Sequence, residues 1–453
     1  MKKLITTLKN IWSIEELRQK IVFTLLLVFV YRFGSHIILP GIDVQTLNEG
    51  LKNKASGGGL LDLFDTFAGG AFSQASIFAL GIMPYITASI FMQLMTILVP
   101  QIKKIQNEGE SGRKKINQWT RYLTVFVTIF QSMAYLAMLR SDPYNRAIVD
   151  DFRHLFPFSS VILLTAGTLF VMWLGEKITD RGLGNGTSLI IMIGILARFP
   201  SAIFAELGIR QKQYNGVGGV MFFLIEILLL VGVIMGLILL IQGTRRVPVN
   251  YAKQIVGNRQ FGGARQFLPL KVNSAGVMPI IFAQAILYLP MIFVGFDPTN
   301  SLYKVFQDHT SIWYMITYSV MVIGFTFLYT ALIFNPRQMA EELKRNNGFI
   351  PGVKPGQPTA DYIGGIMDRI TLPGAILLAV VGILPGLMQL AGVVYNQTFS
   401  TFFGGTSLLI MVGVILDTLQ QIETQLLMRE YDGLMSSGRI QGRQGAATAP
   451  TTI

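Results

Sequence analysis

The chain has 453 residues, of which 51% are hydrophobic and only 14% charged, with a formal net charge of +12 and no cysteine. This excludes a disulfide-stapled secreted domain and any thiolate metal or redox centre. Its apolar residues come in runs of roughly twenty almost free of charge, the pattern of a polytopic membrane protein rather than a soluble one.

Taken in chain order, the segment 1–20 reads as a cytoplasmic, amphipathic, charged N-terminus. It leads into the first apolar run with no small-residue cleavage site, so that run is expected to be a retained span and not a signal peptide. Ten spans are predicted, at 21–39, 75–99, 119–139, 157–175, 187–206, 217–242, 275–295, 312–335, 372–393 and 403–427. Basic residues orient them, because Lys and Arg in short loops stay on the cytoplasmic side. Lys103, Lys104, Arg113, Lys114 and Lys115 lie between spans two and three, and Arg245, Arg246, Lys253, Arg259, Arg265 and Lys271 between spans six and seven. Alternate loops are acidic or neutral, with Asp43, Glu49, Asp62 and Asp65 after span one and Asp297 and Asp308 after span seven. Both termini are therefore expected in the cytoplasm. Arg210 and Lys212 read as a basic loop on the outer side, a mild exception. The net positive charge predicts a cytoplasmic face attractive to anionic lipid or to an acidic or RNA-containing partner.

Two stretches are written twice. "GTSLIIMIGI" opens span five at Gly186 and "GTSLLIMVGV" opens span ten at Gly405, identical at seven of ten positions. "GIMPYITA" at Gly81 in span two matches "GVMPIIFA" at Gly276 in span seven. Copies five spans apart run in opposite directions, so spans one to five and six to ten read as an inverted repeat. Such halves suit a secondary transporter of a small solute, whose charges would gather at mid-membrane. The candidates are Glu226, Asp417 and Arg32, and they occupy unrelated span positions. What the repeats share is isoleucine: Ile86 with Ile281, and Ile191 with Ile410. A ring of these would form a hydrophobic constriction that resists ions by dewetting, and ordinary helix packing explains the same pattern.

Whole segments carry a more specific resemblance. "ASIFALGIMPYITASIFMQL" (75–94), "WLGEKITDRGLGNGTSLII" (173–191), "VNYAK" with "LPLKVNSAGVMP", and "ALIFNPRQMAEELK" resemble the SecY family of bacterial protein-translocase subunits, from span one through span ten. The resemblance implies an all-α membrane channel, a clamshell of two five-span halves at 21–210 and 211–430. Its hinge would lie between spans five and six, and its lateral exit between spans two/three and seven/eight. It implies a pore ring at Ile82, Ile86, Ile191, Ile281 and Ile410, with Thr187 standing where an isoleucine is usual. It implies a plug within 60–73, carried by Leu60, Leu61, Phe64 and Phe67, with Gly69 and Gly70 as the break before span two. Independently of the resemblance, Ser76, Thr87, Ser89, Gln93 and Thr96 make span two polar enough to face a water-filled crevice. By resemblance, Gln93 and Asn273 hold the lateral gate shut and Thr87 faces Leu289 across its seam. The loops 243–274 and 336–371 would dock partners through Arg245, Arg246 and Lys354, the last replacing a customary arginine and losing its bidentate fork. The partners implied are SecE, SecG, the SecA motor, the ribosome, and an unfolded secretory or membrane precursor, with no specific nucleic acid beyond ribosomal RNA. No Gly-Lys dipeptide occurs, so a P-loop is absent, and three scattered histidines make no zinc site. The chain is expected to be no enzyme and to carry no cofactor, with an intramembrane enzyme ranking behind the transporter. The tail 431–453 reads as a flexible cytoplasmic end, and the membrane is expected to be the bacterial cytoplasmic (inner) one.

Overall fold

A computed structural model describes residues 12, 14–43, 46–47, 65–140, 148, 155–214, 217–251, 254–256, 259–261, 265–294 and 310–436. Each of the ten predicted spans falls on a helix. These are α1 (Glu15–Gly34), α2 (Met83–Leu98), α4 (Glu110–Leu139), α5 (Phe156–Arg181), α6 (Gly186–Gln213), α7 (Val217–Gln242), α8 (Met278–Val294), α9 (Ile312–Ile333), α11 (Gln357–Leu390) and α13 (Gly405–Ser436). Short helices α3 (Pro100–Asn107), α10 (Pro336–Arg345) and α12 (Gln397–Ser400) lie between them. Among the described residues, seven helices are long and apolar enough to cross a membrane: α4, α5, α6, α7, α9, α11 and α13. The other three fall short for visible reasons. Helix α1 carries Arg18, Lys20 and Arg32 near its ends, and α8 is only 17 residues long. Helix α2 turns through 103° into α3 at Val99–Pro100, where proline cannot continue the hydrogen-bond ladder.

Both repeats recur as local structure. Gly81 and Gly276 take left-handed backbone, with φ of 53° and 65°, and each precedes a helix whose second residue is proline. A residue with a Cβ is strained at such a φ, whereas proline in the first turn loses no hydrogen bond, so the shared "G-x-M-P" dictates where α2 and α8 begin. Gly186 and Gly405 are likewise the first residues of α6 and α13. Asn185 caps α6 by accepting from the Thr187 and Ser188 amides at 3.1 and 3.4 Å, satisfying two of its free N–H groups. Span two starts later than predicted. Residues 75–82 form turns, and Ser76, expected on a crevice wall, is fully buried in a bridge to Ile38.

Burial gathers the helices into connected cores. One cluster unites α1, α5, α6 and α7 with Phe67, Ile82, the 394–403 segment and one face of α13. Another joins α7, α8, α9, α11 and the opposite face of α13, through Leu408, Leu409 and Val412. A third holds the outer part of the first half, around Leu39, Phe72, Tyr135 and Leu164. The loops 243–274 and 336–371 contain what the periodicity did not predict, a shared sheet. Strands β1 (Thr244–Tyr251), β4 (Arg265–Lys271) and β5 (Gly348–Phe349) pair antiparallel in the order β4-β1-β5, and β2 (Gln254–Val256) pairs with β3 (Arg259–Phe261) as a separate ribbon. Its apolar side, Val247, Val249 and Leu270, packs on Leu343 and Ile350 and on Ile363 and Met367 of α11. Helix α11 can reach the sheet because 34 residues span about 51 Å, well beyond a hydrocarbon core of about 30 Å.

Candidate conducting path and plug

Helix α6 organises the site. Thr187, Ile191, Gly194 and Arg198 recur at steps of four, three and four, so they share one face. Ile191 is buried in the same cluster as Ile82, Ile410 and Phe67, and Ile86 packs against its edge. Thr187 is half-buried one turn before Ile191. Ile281 belongs to none of the clusters: it is half-buried on α8, while its neighbour Ile280 is buried in the core of the second half. Four of the five predicted ring isoleucines therefore meet, and the fifth stands apart.

The predicted plug is described only from Asp65 onward; Leu60, Leu61 and Phe64 lie outside the described residues. Phe67 is buried. Gly69 crosses Gly194 so closely that a methyl group on Gly69 would sit 2.7 Å from the Gly194 Cα, and one on Gly194 would sit 2.8 Å from the Phe67 carbonyl oxygen. Gly69 and Gly70 both have left-handed backbone, at φ 66° and 89°. Two glycines in contact allow this approach, and any side chain at either would push the segments apart. The Asp65 carboxylate accepts from the Ser73 amide at 2.8 Å and pairs with Arg198 at 2.8 Å. From the other side, Arg32 Nη1 donates to the Gly69 carbonyl at 2.9 Å.

At the gate positions, Gln93 Oε1 accepts a hydrogen bond from the Tyr329 hydroxyl of α9 at 2.9 Å, and Tyr329 also leans on Phe282 of α8. The other residue expected among the polar gate contacts, Asn273, has a buried Oδ1 with no hydrogen-bond partner in the structure. Thr87 is exposed, with its hydroxyl bonded to the Met83 carbonyl. Leu289 lies on α8, but its side chain falls outside the described residues. The docking candidates are all exposed. Arg245 and Arg246 stand on β1 opposite Leu270 and Pro269, and Lys354 precedes α11.

The C-terminal end of α6 corrects the sequence reading. Arg210 is no loop charge but a helical residue only 3% exposed, paired with Glu206 at 3.4 Å and with Glu226 of α7. It also donates to the carbonyls of Gly392 and Val393, and its guanidinium lies 4.5 Å from the Tyr395 ring. Glu206 accepts from the amides of Tyr395 and Asn396 at 3.1 and 2.6 Å. Counting basic residues by position could not reveal this, because a paired charge and a topological charge look alike in a sequence. Glu226 is thus a structural charge, Arg32 is engaged with the Gly69 carbonyl, and Asp417 is exposed, so the three transporter candidates are not gathered at one site.

A mostly helical membrane protein in which Ile82, Ile191 and Ile410 meet Phe67 in one apolar cluster has the architecture of a protein-conducting channel. The family profile described as SecY matches residues 76–419. A protein translocase subunit SecY from Streptomyces galbus is 42% identical over 447 residues, covering 95% of this chain and 100% of that relative. Two solved structures share the fold. One is described as a protein conducting channel, with TM-score 0.59 and 15% identity over 89% of this chain and 91% of that one. The other is an idle yeast Ssh1 complex bound to the yeast 80S ribosome, with TM-score 0.57 and 14% identity over 96% and 94%. The chain belongs to the SecY family of multi-pass membrane translocase subunits.

Proposed function

We propose that this chain is the central protein-conducting channel of a bacterial cytoplasmic membrane, with both termini in the cytoplasm, passing unfolded polypeptide and releasing apolar segments sideways into lipid. Spans one to five and six to ten act as two inverted halves, at 21–210 and 211–430, around a waist of Ile82, Ile86, Thr187, Ile191, Ile281 and Ile410. The segment 60–73 is the plug. The observation that carries the reading is the meeting of Ile82, Ile191 and Ile410 with Phe67 in one apolar cluster. A waist of that composition holds no water when closed, so ions do not pass. The lateral exit runs between α2/α4 and α8/α9, with Thr87, Gln93, Asn273 and Leu289 at its seam. The shared sheet of the cytoplasmic loops presents Arg245 and Arg246, with Lys354 beside α11, to the SecA motor, the ribosome or anionic lipid. SecE and SecG complete the complex. Such a channel is not an enzyme and takes its energy from the motor or the ribosome.

Changing Ile86, Ile191, Ile281 and Ile410 to Ser in pairs should let ions leak through the resting channel in planar bilayers, and unchanged conductance would count against the waist. Reversing Arg245 and Arg246 to Glu should weaken motor or ribosome binding, as should added salt on the unaltered chain, since exposed charges are screened.

A further inference from the structure

The residues that hold the plug segment in place are not the apolar ones. Phe67 fills the waist, but burial is non-directional and tolerates sliding. Direction comes from the polar contacts. The Asp65 carboxylate, 6% exposed, is gripped by Arg198 of α6 and by the Ser73 amide, while Arg32 of α1 holds the Gly69 carbonyl from the opposite side. The glycine crossing at Gly69 and Gly194 brings the backbones close enough for both contacts to form at hydrogen-bond distance.

We propose that Asp65, Arg198 and Arg32 are positioning residues of the plug, an electrostatic latch whose grip weakens when water enters the path. The inference rests on the channel reading and gives a role to three charged residues that the waist and plug assignments leave without one. Arg198 sits one turn beyond Gly194 and two beyond Ile191 on one face of α6, so the latch lies directly next to the waist. With the waist dry, the ion pair sits in a medium of low effective dielectric, and separating the charges is costly. A polypeptide entering with its hydration shell raises the local dielectric, solvates Arg198 and lowers that cost. Plug release is thereby coupled to wetting of the path rather than to a particular contact with the passing chain.

The absence of cysteine makes the test direct. Ala71 is 1% exposed, so Ala71→Cys supplies a single buried thiol beside the latch. In vesicles containing the whole complex, its labelling by a membrane-impermeant maleimide added from the outer side reports plug release. Asp65→Asn and Arg198→Gln should each speed labelling by about ten- to hundredfold, the range expected from losing a charge-assisted hydrogen bond. Arg198→Lys keeps the charge at a contact made through one nitrogen and should stay within about threefold of the parent. If the single variants do not assemble, the doubly neutral Asp65→Asn/Arg198→Gln variant, which strands no buried charge, should still label fast. Labelling within twofold of the parent in the variants, or acceleration by Arg198→Lys equal to that by Arg198→Gln, overturns the latch. Precursor transport is measured in the same vesicles. Its absence from the parent complex would overturn the channel reading instead, a result separable from the labelling rates.

Discussion

Helices α6 and α13 begin with nearly the same residues and present the same stripe: Thr187, Ile191, Gly194 and Arg198 on one, Thr406, Ile410, Gly413 and Asp417 on the other. Ile191 and Ile410 end in the same apolar cluster. Beyond the isoleucine the likeness stops. Gly194 is covered by the segment 65–73, whereas among the described residues a methyl group on Gly413 would meet open space. Arg198 is ion-paired and Asp417 is exposed. A repeated sequence can set where a helix starts and which face it turns inward, because both depend on local geometry. What that face then does is decided by an unrepeated segment, residues 65–73, that only one half possesses.

The largest break in the likeness is expected at the C-terminal end of α6. Arg210→Leu would strand Glu206 and Glu226, both buried, without their cation. Removing one partner from a buried ionic cluster costs roughly 3–5 kcal/mol. Thermal inactivation of the complex in detergent micelles should drop by several degrees or assembly should fail, while Asp417→Asn on α13 leaves it unmoved. Equal responses would mean that the triad does not distinguish the two helices.

Next in size is the glycine pair. Gly194→Ala places a methyl 2.8 Å from the Phe67 carbonyl and 3.3 Å from the Gly69 amide, so the plug must shift. Overpacking of this kind costs roughly 1–3 kcal/mol and should appear as ion leakage at rest. Gly413→Ala meets open space and should stabilise α13 by up to about 1 kcal/mol through helix propensity, without leakage. Leakage from both variants would show that the two faces are equally covered.

These contrasts also mark what could be read in the chain itself. Span positions and the paired helix starts were legible because hydrophobic length and the "G-x-M-P" turn act over a few residues. Legible too, by resemblance, was the meeting of Ile82, Ile191 and Ile410. The Asp65–Arg198 pair was not, since neither residue's neighbourhood says that the chain folds back to bring them together. Arg198 did leave one trace, a charge two turns beyond Ile191 on an otherwise apolar face. The sheet of β4, β1 and β5 escaped notice because β5 is two residues long and borrows its partner from another loop. Gln93 was expected among the polar gate contacts, but its partner Tyr329 was not legible, since an aromatic residue reads from sequence as ordinary span filling.

That last bond gives the smallest and most discriminating prediction. At the α6–α7 contact, one cation holds two carboxylates and two carbonyls, whereas among the described residues α9 reaches α2 through the Tyr329 hydroxyl donated to Gln93. Gln93 is exposed, so water competes for its oxygen and the bond stabilises the contact by no more than about 1 kcal/mol. Tyr329→Phe keeps the ring against Phe282 and removes only the hydroxyl. With cysteines installed at Thr87 and Leu289, oxidative cross-linking across the seam should slow by about two- to fivefold, the factor that such an energy carries. Thermal inactivation should not change, because no buried charge is exposed or stranded. The proposed lateral exit needs this inequality: a hydrogen bond from a neutral hydroxyl parts at thermal energies, and a buried ionic triad does not. If Tyr329→Phe destabilised the complex as much as Arg210→Leu, the two edges would be equally strong and the clamshell would have no preferred side on which to open.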